Sequence, residues 1–324
     1  MSFPDDRHRI ADAAARRILV AGATGRFGGI AGLLLARGHA VRAATRDPAH
    51  PEAARLAAAG AEIVRADFED TGSLAAAAAG VDAVFASGSA HRAGPRGEER
   101  HGRNLADALS MAHAPHLVFV SGAGADKHTG VAVLDAKRAV EQRMRELRLP
   151  ATVIAPVYLM ENLFNPWNLA AIRAGVVPTP APPGLRLQQV ATSDILALSV
   201  LVLEHPDVFG GERIEVASDA LTAEEAASAL SALLGRNFTA RQLAGPDVPQ
   251  GVAALFAWLE SNPSPVDIGA QHRRFHGIAW HRFGDWANDQ RARLAEASGI
   301  ATAPGTPPEQ RVEDGPGVSP PQRA

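Results

Sequence analysis

Six short apolar runs recur along the first half of the chain, and a segment with helical spacing follows each of the first five. The runs do not alternate between apolar and polar residues, which is typical of parallel strands buried on both faces. They lie at residues 17–21, 40–45, 62–66, 82–86, 116–120 and 151–154. Because β–α–β connections are right-handed, this order predicts a Rossmann-type, doubly wound α/β fold. Ligands of such folds bind at the carboxyl ends of the strands.

The regular alternation ends near residue 157, which divides the chain into unequal parts. We expect the α/β domain to cover residues 17–157, and residues 158–299 to form a smaller, mostly helical lid over the strand ends. Residues 1–16 are polar and rich in Ala, which indicates a loose leader. Residues 300–324 are rich in Pro and have no periodicity, so they predict a disordered tail.

A glycine-rich turn joins the first strand to the first helix. Gly22, Gly25 and Gly28 have the spacing G-x-x-G-x-x-G. Such glycines permit a tight turn and a close approach of the backbone to a pyrophosphate, and Gly28 would let the helix pack close to the sheet. The alternative is a turn without a ligand. Its position at the start of the strand series favours a dinucleotide site.

The end of the second strand holds the residues expected to select the cofactor. NAD sites carry an acid there for the ribose hydroxyl, whereas this chain has Thr45-Arg46-Asp47. Arg46, with Arg26 from the glycine turn, would bind a 2′-phosphate as a planar fork. This predicts NADP(H). In the alternative, Arg46 is solvated and Asp47 holds the ribose.

Residues at the ends of the third and fourth strands complete the expected cofactor site. Asp67 could accept a hydrogen bond from the adenine amino group, and Phe68 could flank the ring. In the alternative, Asp67 or Asp70 only caps the next helix. Ser87 and Gly88 are small enough for the cofactor to cross the sheet edge.

Lys137 lies at the edge of the apolar stripe of the helix predicted over residues 131–147. The chain has only two lysines among 32 basic Lys and Arg residues, so a lysine here suggests a role that arginine cannot fill. Lys137 could hold the nicotinamide ribose and lower the pKa of a neighbouring acid. The alternative is a surface pair with Glu141.

Composition excludes several classes of protein. Without cysteine there are no disulfides, thiolate nucleophiles or iron–sulfur clusters. A net charge of −3 is not typical of nucleic-acid binding, and no apolar run is long enough to span a membrane. We therefore expect a cytoplasmic protein with a small-molecule substrate. His272, His276 and His281 have spacing close to i,i+4 but lack the H-E-x-x-H pattern and a nearby carboxylate pair, so no metal site is predicted.

Several blocks of the sequence, spread over residues 17–300, together resemble the NmrA-like family of atypical short-chain dehydrogenases/reductases. The blocks are ILVAGATGRFGG (18–29), TRDP (45–48), ADFEDTGSLAAAAAGVDAVF (66–85), AKRAVEQRMRELRLPATVIAP (136–156) and MEN (160–162). The resemblance implies that Pro156 faces the nicotinamide. It implies NAD(P)H binding by Gly22, Thr24, Gly25, Arg26, Phe27, Gly28, Arg46, Asp67 and Lys137. The family includes NADPH-dependent quinone and dye reductases, and redox-sensing regulators without known turnover.

The chain departs from the superfamily pattern at the general acid. The usual tyrosine four residues before the lysine is Val133, and the only tyrosine is Tyr158. This argues against alcohol–ketone chemistry and favours hydride transfer to a quinone-like or conjugated aromatic acceptor, which needs little general acid. If an acid acts, the candidates are Lys137, Tyr158, Ser121 and His128. Ala155 stands where the family commonly has Arg.

The acceptor pocket and the biological role have open alternatives. Met160, Phe164 and Trp167 could line the pocket, or they could belong to the core of the lid. A non-catalytic NADP(H) sensor that acts through a partner protein is the alternative to a reductase. The sequence gives no indication of the oligomeric state.

Overall fold

The computed structural model describes residues 14–300, except 89, 180, 183, 244–247 and 263–265. The predicted tail and most of the predicted leader lie outside the described residues. Within the described residues, no helix has both the length and the apolar character needed to cross a bilayer.

A sheet of seven parallel strands forms the centre of the molecule. The strands are β1 (Arg17–Ala21), β2 (Ala40–Thr45), β3 (Glu62–Arg65), β4 (Ala83–Ser87), β5 (Leu117–Val120), β6 (Ala151–Pro156) and β10 (Arg213–Val216). Their order is β10-β6-β5-β4-β1-β2-β3. The connections lead in opposite directions from β1 and β4, which opens a crevice at their carboxyl ends. The predicted Rossmann-type fold is confirmed.

Helices cover both faces of this sheet because its strands present apolar side chains on both sides. Ile18 and Val20 of β1 belong to one apolar cluster, and Leu19 and Ala21 belong to the other. The helices of this part are α1 (Ile30–Ala36), α2 (Pro51–Ala58), α3 (Thr71–Ala78), α4 (Ala90–Met111) and α5 (Ala132–Glu146). Helix α4 is kinked at Gly94, whose φ is 66°.

The chain after β6 consists of shorter elements. They are β7 (Tyr158–Leu159), a 3-10 helix (Met160–Phe164), α6 (Pro166–Arg173), β8 (Val176–Thr179), β9 (Leu187–Val190), α7 (Thr192–Glu204), α8 (Pro206–Phe209), β11 (Asp219–Leu221), α9 (Ala223–Leu234), β12 (Thr239–Gln242), α10 (Gln250–Ser261), α11 (Ile268–Arg274), α12 (Phe283–Asp289) and α13 (Arg291–Ala297). Two small sheets, β11-β9-β7 and β12-β8, join these elements. Thr222 caps α9 by accepting a hydrogen bond from the amide of Glu225.

Two elements from the second half return to the central sheet. Strand β10 pairs with β6, with Arg213 opposite Val153 and Val216 opposite Pro156. Ile195 and Leu198 of α7 pack in the same apolar cluster as β1 and α1. The chain after residue 157 therefore contributes to the central layer as well as to the smaller region. The division at that residue stays a prediction.

Candidate active site

The glycine turn is closed by its own backbone. The amide of Gly25 donates to the carbonyl of Gly22 at 2.9 Å, and the amide of Gly28 donates to the carbonyl of Gly25 at 3.0 Å. Gly22 has φ +75°, and a Cβ at Gly28 would lie 1.8 Å from the oxygen of Ala23. Gly28 is thus required by the turn itself, besides the helix packing that we expected. Helix α1 begins at Ile30, directly after this turn.

A cleft of about 840 Å³ runs along the carboxyl ends of the strands. Every predicted cofactor residue except Gly28 and Pro156 lines it. The lining includes Gly22, Thr24, Gly25, Arg26, Phe27, Arg46, Asp67, Phe68, Ser87, Gly88 and Lys137. Pro156 instead lines a smaller neighbouring cavity. The residues that the sequence assigned to one ligand are therefore brought to one continuous cleft.

Arg46 and Asp47 differ in how far their side chains are engaged. The carboxylate of Asp47 accepts a hydrogen bond from the amide of Ala49 at 3.0 Å and so stabilises its own turn. Arg46 is exposed at the cleft, and among the described residues no carboxylate lies within ion-pair distance of it. Both side chains line the cleft, and the guanidinium is the cationic group at this strand end.

Arg26 does not take the place that we expected beside the ribose. Its guanidinium donates to the side-chain oxygens of Asn162 at 3.0 Å and Asn165 at 3.4 Å. Partial burial lowers its pKa, while the neighbouring charge of Glu161 opposes that shift. Arg26 thereby ties the glycine turn to the 3-10 helix, and Arg46 alone remains for a 2′-phosphate.

The alternative roles of Asp67 and Asp70 are separated by the structure. Asp70 caps α3 by accepting from the amide of Ser73 at 3.1 Å. The carboxylate of Asp67 accepts from the nearby amide of Glu69 and lines the cleft. The ring of Phe68 stacks on His101, with centroids 5.9 Å apart, and both rings line the cleft. These positions suit a purine ring.

Lys137 has a buried carboxylate partner that the sequence did not indicate. Its Nζ donates to Oε1 of Glu98 on α4 at 2.7 Å, and the side chain of Glu98 is fully buried. Oε2 of Glu98 has no hydrogen-bond partner in the part of the chain that is described. A Cβ at Gly88 would lie 1.8 Å from Oε1 of Glu98. Gly88 is therefore small because the Glu98–Lys137 pair occupies the adjacent space.

Ser121 belongs to a different buried network, which also accounts for Glu141. The hydroxyl of Ser121 donates to Glu141, whose other carboxylate oxygen lies 3.2 Å from Nε of Arg213 on β10. Arg213 also donates to the carbonyl of Gly122 at 2.8 Å. Glu141 therefore pairs with Ser121 and Arg213, and not with Lys137 as in the alternative given above. Because its proton is engaged there, this geometry does not favour Ser121 as the acid.

A second cavity of about 270 Å³ adjoins the cleft near Lys137 and Tyr158, which line both spaces. Its walls are mostly apolar and come from β5, the loop after β6 and α10. They include Val120, Val133, Leu134, Pro156, Val157, Leu159, Leu187, Leu255, Trp258 and Leu259. The cavity has the composition expected for a small, flat organic molecule.

Tyr158 stands between the cleft and this cavity. Its ring packs edge-on against Phe256 of α10, with centroids 5.4 Å apart. Burial raises the pKa of Tyr158 to about 12, although Asn162 and Arg26 lower it in part. The phenol therefore stays protonated near neutral pH and can donate a hydrogen bond into the cavity.

Three other predicted residues lie away from the cavity. Met160 is buried in the core of the smaller region. Phe164 packs against Trp286 and under the guanidinium of Arg293. His128 contacts Arg138 at 2.7 Å. The alternative of core packing is thus the better description of Met160 and Phe164, whereas Trp167 does line the cleft.

His272 and His281 make contacts within the smaller region. His272 stacks on Trp280 with centroids 5.1 Å apart, and His281 pairs with Asp194. Over the described residues, no group of three potential ligands comes together that could hold a metal ion.

Helix α10 supplies a wall that the sequence did not identify as functional. Trp258 rests on the loop after β5 so closely that a Cβ at Gly124 would lie 2.4 Å from its ring. The only signal was an apolar helical segment, and such a segment is more often core than pocket.

The strand order and the position of the cleft define a Rossmann-type α/β protein with a cleft at the carboxyl ends of its strands. The family model described as NmrA-like family matches residues 14–258, and the chain belongs to that family. The family recognised from the sequence is confirmed.

Relatives and solved structures agree with this assignment. The chain is 30% identical over 253 residues to a (4-alkanoyl-5-oxo-2,5-dihydrofuran-3-yl)methyl phosphate reductase of Streptomyces griseus, covering 77% of this chain and 83% of the relative. Among solved structures, the Escherichia coli NADPH-dependent quinone oxidoreductase with NADPH has a TM-score of 0.71 at 22% identity, over 85% of this chain and 99% of that one. NmrA, a negative transcriptional regulator in complex with NAD, has a TM-score of 0.70 at 19% identity, over 89% and 98%.

Proposed function

We propose that this protein is an NADPH-dependent reductase that transfers hydride to a conjugated, quinone-like small molecule. The observation that carries the proposal is the continuity of the two spaces. The long cleft has the unpaired guanidinium of Arg46 near one end, and Lys137 and Tyr158 stand where the apolar cavity adjoins it. A dinucleotide in the cleft and a flat acceptor in the cavity would share this junction.

The residues of the cleft fit NADPH group by group. Gly22 and Gly25 of the glycine turn line the cleft without a side chain, so a pyrophosphate could approach the backbone closely there. Arg46 would hold the 2′-phosphate, and Asp67 with Phe68 would hold the adenine. Lys137 would hold the nicotinamide ribose. When bound, NADPH supplies the hydride.

The donors around the cavity suit an acceptor that needs little acid catalysis. Ser121 is engaged with Glu141 and His128 lies away from the cavity, so the Lys137 ammonium and the Tyr158 phenol are the groups that remain of the four candidates. The ammonium would stabilise negative charge on the acceptor oxygen, and the phenol would donate a hydrogen bond to it. The name of the Streptomyces relative, which contains an oxo-dihydrofuran, and that of the Escherichia coli quinone oxidoreductase both support a conjugated carbonyl acceptor.

The test combines binding with turnover. Calorimetry should detect NADPH binding that is tighter than NADH binding. NADPH absorbance should then fall when quinones, conjugated lactones or triphenylmethane dyes are added to the protein. Tight NADPH binding without consumption by any acceptor would favour the alternative, a sensor that acts through a partner protein. The open cavity beside Lys137 argues for the reductase, because a sensor does not require an acceptor site.

A further inference from the structure

Both lysines of the chain line the same cavity. Of the 32 Lys and Arg residues in the sequence, only two are lysines. Both of them, Lys127 and Lys137, line the apolar cavity beside Tyr158. No Asp or Glu is among the described residues that line this cavity. The charged side chains in its described lining are therefore both cationic, although the protein as a whole has a net charge of −3.

The two lysines differ in how their charges are balanced. Lys137 is paired with the buried carboxylate of Glu98 at 2.7 Å. Lys127 has no carboxylate within ion-pair distance among the described residues, and its Nζ lies 5.9 Å from the ring centroid of Trp258. The neighbouring acid, Asp126, faces Arg213 at 3.4 Å. Lys127 is thus the cavity's uncompensated charge.

Lys127 is exposed, and one side of its ammonium faces an apolar wall of the cavity. Trp258 provides a flat aromatic surface beside the ammonium, and Leu255 and Leu259 of the same helix extend the apolar wall. Such a wall removes part of the solvent screening, so the attraction of Lys127 for an anion is that of a partly screened ion pair. A planar ring on this wall with an anionic substituent near Lys127 would satisfy both features.

We infer that Lys127 and Trp258 form an anion subsite, so that the acceptor is a planar conjugated molecule carrying a carboxylate, sulfonate or phosphate group. The inference rests on the proposed reductase function for the position of the ring. It adds the substituent that distinguishes the natural acceptor from a simple quinone, and it assigns to Lys127 the selection of that substituent.

The kinetic test uses an acceptor pair and a matched pair of variants. Reduction of 1,4-naphthoquinone and of its 2-sulfonate is compared in the wild type, in Lys127→Gln and in Arg138→Gln. Arg138 contacts His128 and does not line the cavity. Arg138→Gln removes one positive charge, as Lys127→Gln does, but leaves the cavity lining unchanged. The ratio of kcat/KM values within each protein is compared between proteins, which cancels the different reactivities of the two quinones.

We expect Lys127→Gln to lower the preference for the sulfonate by about 3- to 10-fold, mainly through KM, as for a partly screened ion pair. Arg138→Gln should leave the preference unchanged. Added salt should raise KM for the sulfonate in the wild type more than KM for the parent quinone. Thermal unfolding should show that both proteins are folded. If they are, an equal preference for the sulfonate in the wild type and in Lys127→Gln would overturn the subsite.

A binding measurement separates this inference from the reductase function. Calorimetry in the presence of NADP⁺ compares the affinity of each quinone for the wild type and for Lys127→Gln. A loss of affinity confined to the sulfonate supports the subsite even if no turnover is found, in which case only the reductase proposal fails. Turnover of both quinones with identical affinities in the two proteins would remove the subsite and leave the reductase proposal intact.

Discussion

At the level of single residues, cofactor preference depends on one guanidinium. Arg46 is unpaired at the cleft, and Asp47 is engaged with the amide of Ala49. We expect Arg46→Ala to weaken NADPH binding by about ten-fold or more and to leave NADH binding nearly unchanged, since a charge-assisted contact contributes about 1.5–3 kcal/mol. Calorimetry with both cofactors measures this. Arg26→Ala should weaken both equally because Arg26 contacts Asn162 and Asn165. Equal losses in Arg46→Ala would contradict the assignment.

The Glu98–Lys137 pair yields a second prediction at this scale. Lys137→Met leaves the fully buried carboxylate of Glu98 without its partner, so we expect the free energy of unfolding to fall by about 3 kcal/mol. The double variant Glu98→Gln/Lys137→Met removes both charges and should recover most of that loss. Urea unfolding of the two single variants and the double variant measures the coupling. Additive losses would show that the two side chains do not stabilise each other.

At the level of elements, α10 is held against the loop after β5 by the contact of Trp258 with Gly124. Gly124 has φ +78°, and a Cβ there would lie 2.4 Å from the indole. We expect Gly124→Ala to displace Trp258 and to lower kcat/KM for the acceptor by about ten-fold, with NADPH affinity unchanged, because the cavity lies beyond the cofactor cleft.

Gly130 provides the control for this element. It lies on the same loop with φ +70°, but a Cβ at Gly130 would meet no atom within 4 Å. Gly130→Ala therefore imposes similar backbone strain without touching Trp258. If both variants reduce kcat/KM for the acceptor to the same extent, strain rather than the position of α10 controls the cavity.

The elements that the sequence predicts well are those defined by local pattern. Buried parallel strands are continuous apolar runs, and each of the first six predicted strands matches the structure to within two residues. The pairing of β10 with β6 could not be predicted, because Arg213 and Val153 are far apart in the chain. The direction of Arg26 likewise depends on Asn162 and Asn165, which belong to a distant segment. Local patterns contain no information about such contacts.

At the level of the whole molecule, the two ends of the proposed site come from different parts of the chain. The glycine turn and Arg46 belong to the first two β–α units, whereas Trp258 and its neighbours on α10 belong to the smaller region. Strand β7, with Tyr158, lines both the cleft and the cavity and so lies between them. Cofactor binding and acceptor selection can therefore be altered by separate substitutions. Arg46→Ala is expected to change cofactor binding, whereas Gly124→Ala and Lys127→Gln are expected to change the kinetics with the acceptor.

The stability of the folded chain should depend on pH through His116, which precedes β5. His116 is buried with Nε2 3.4 Å from the hydroxyl of Thr152. Burial, together with the charge of Arg16, lowers the pKa of His116 from 6.5 to about 4. Between these two values the unfolded chain binds the proton and the folded chain does not. The contribution of the neutral imidazole is thus fully present above pH 6.5 and is lost as the pH falls toward 4.

We expect the free energy of unfolding to decrease from pH 6.5 to 5 by up to about 1.4 kcal/mol per pH unit from this residue alone. His116→Gln removes the titrating group, so the difference between the unfolding curves of wild type and variant should change over this interval. The contributions of the carboxylates and of the other histidines are the same in both proteins and cancel in this difference. His281 is one of these histidines: burial lowers its pKa, but Asp194, together with other nearby carboxylates, raises that pKa by more. Wild-type and variant stabilities that run parallel between pH 7 and 5 would show that His116 is protonated equally in the folded and unfolded chains.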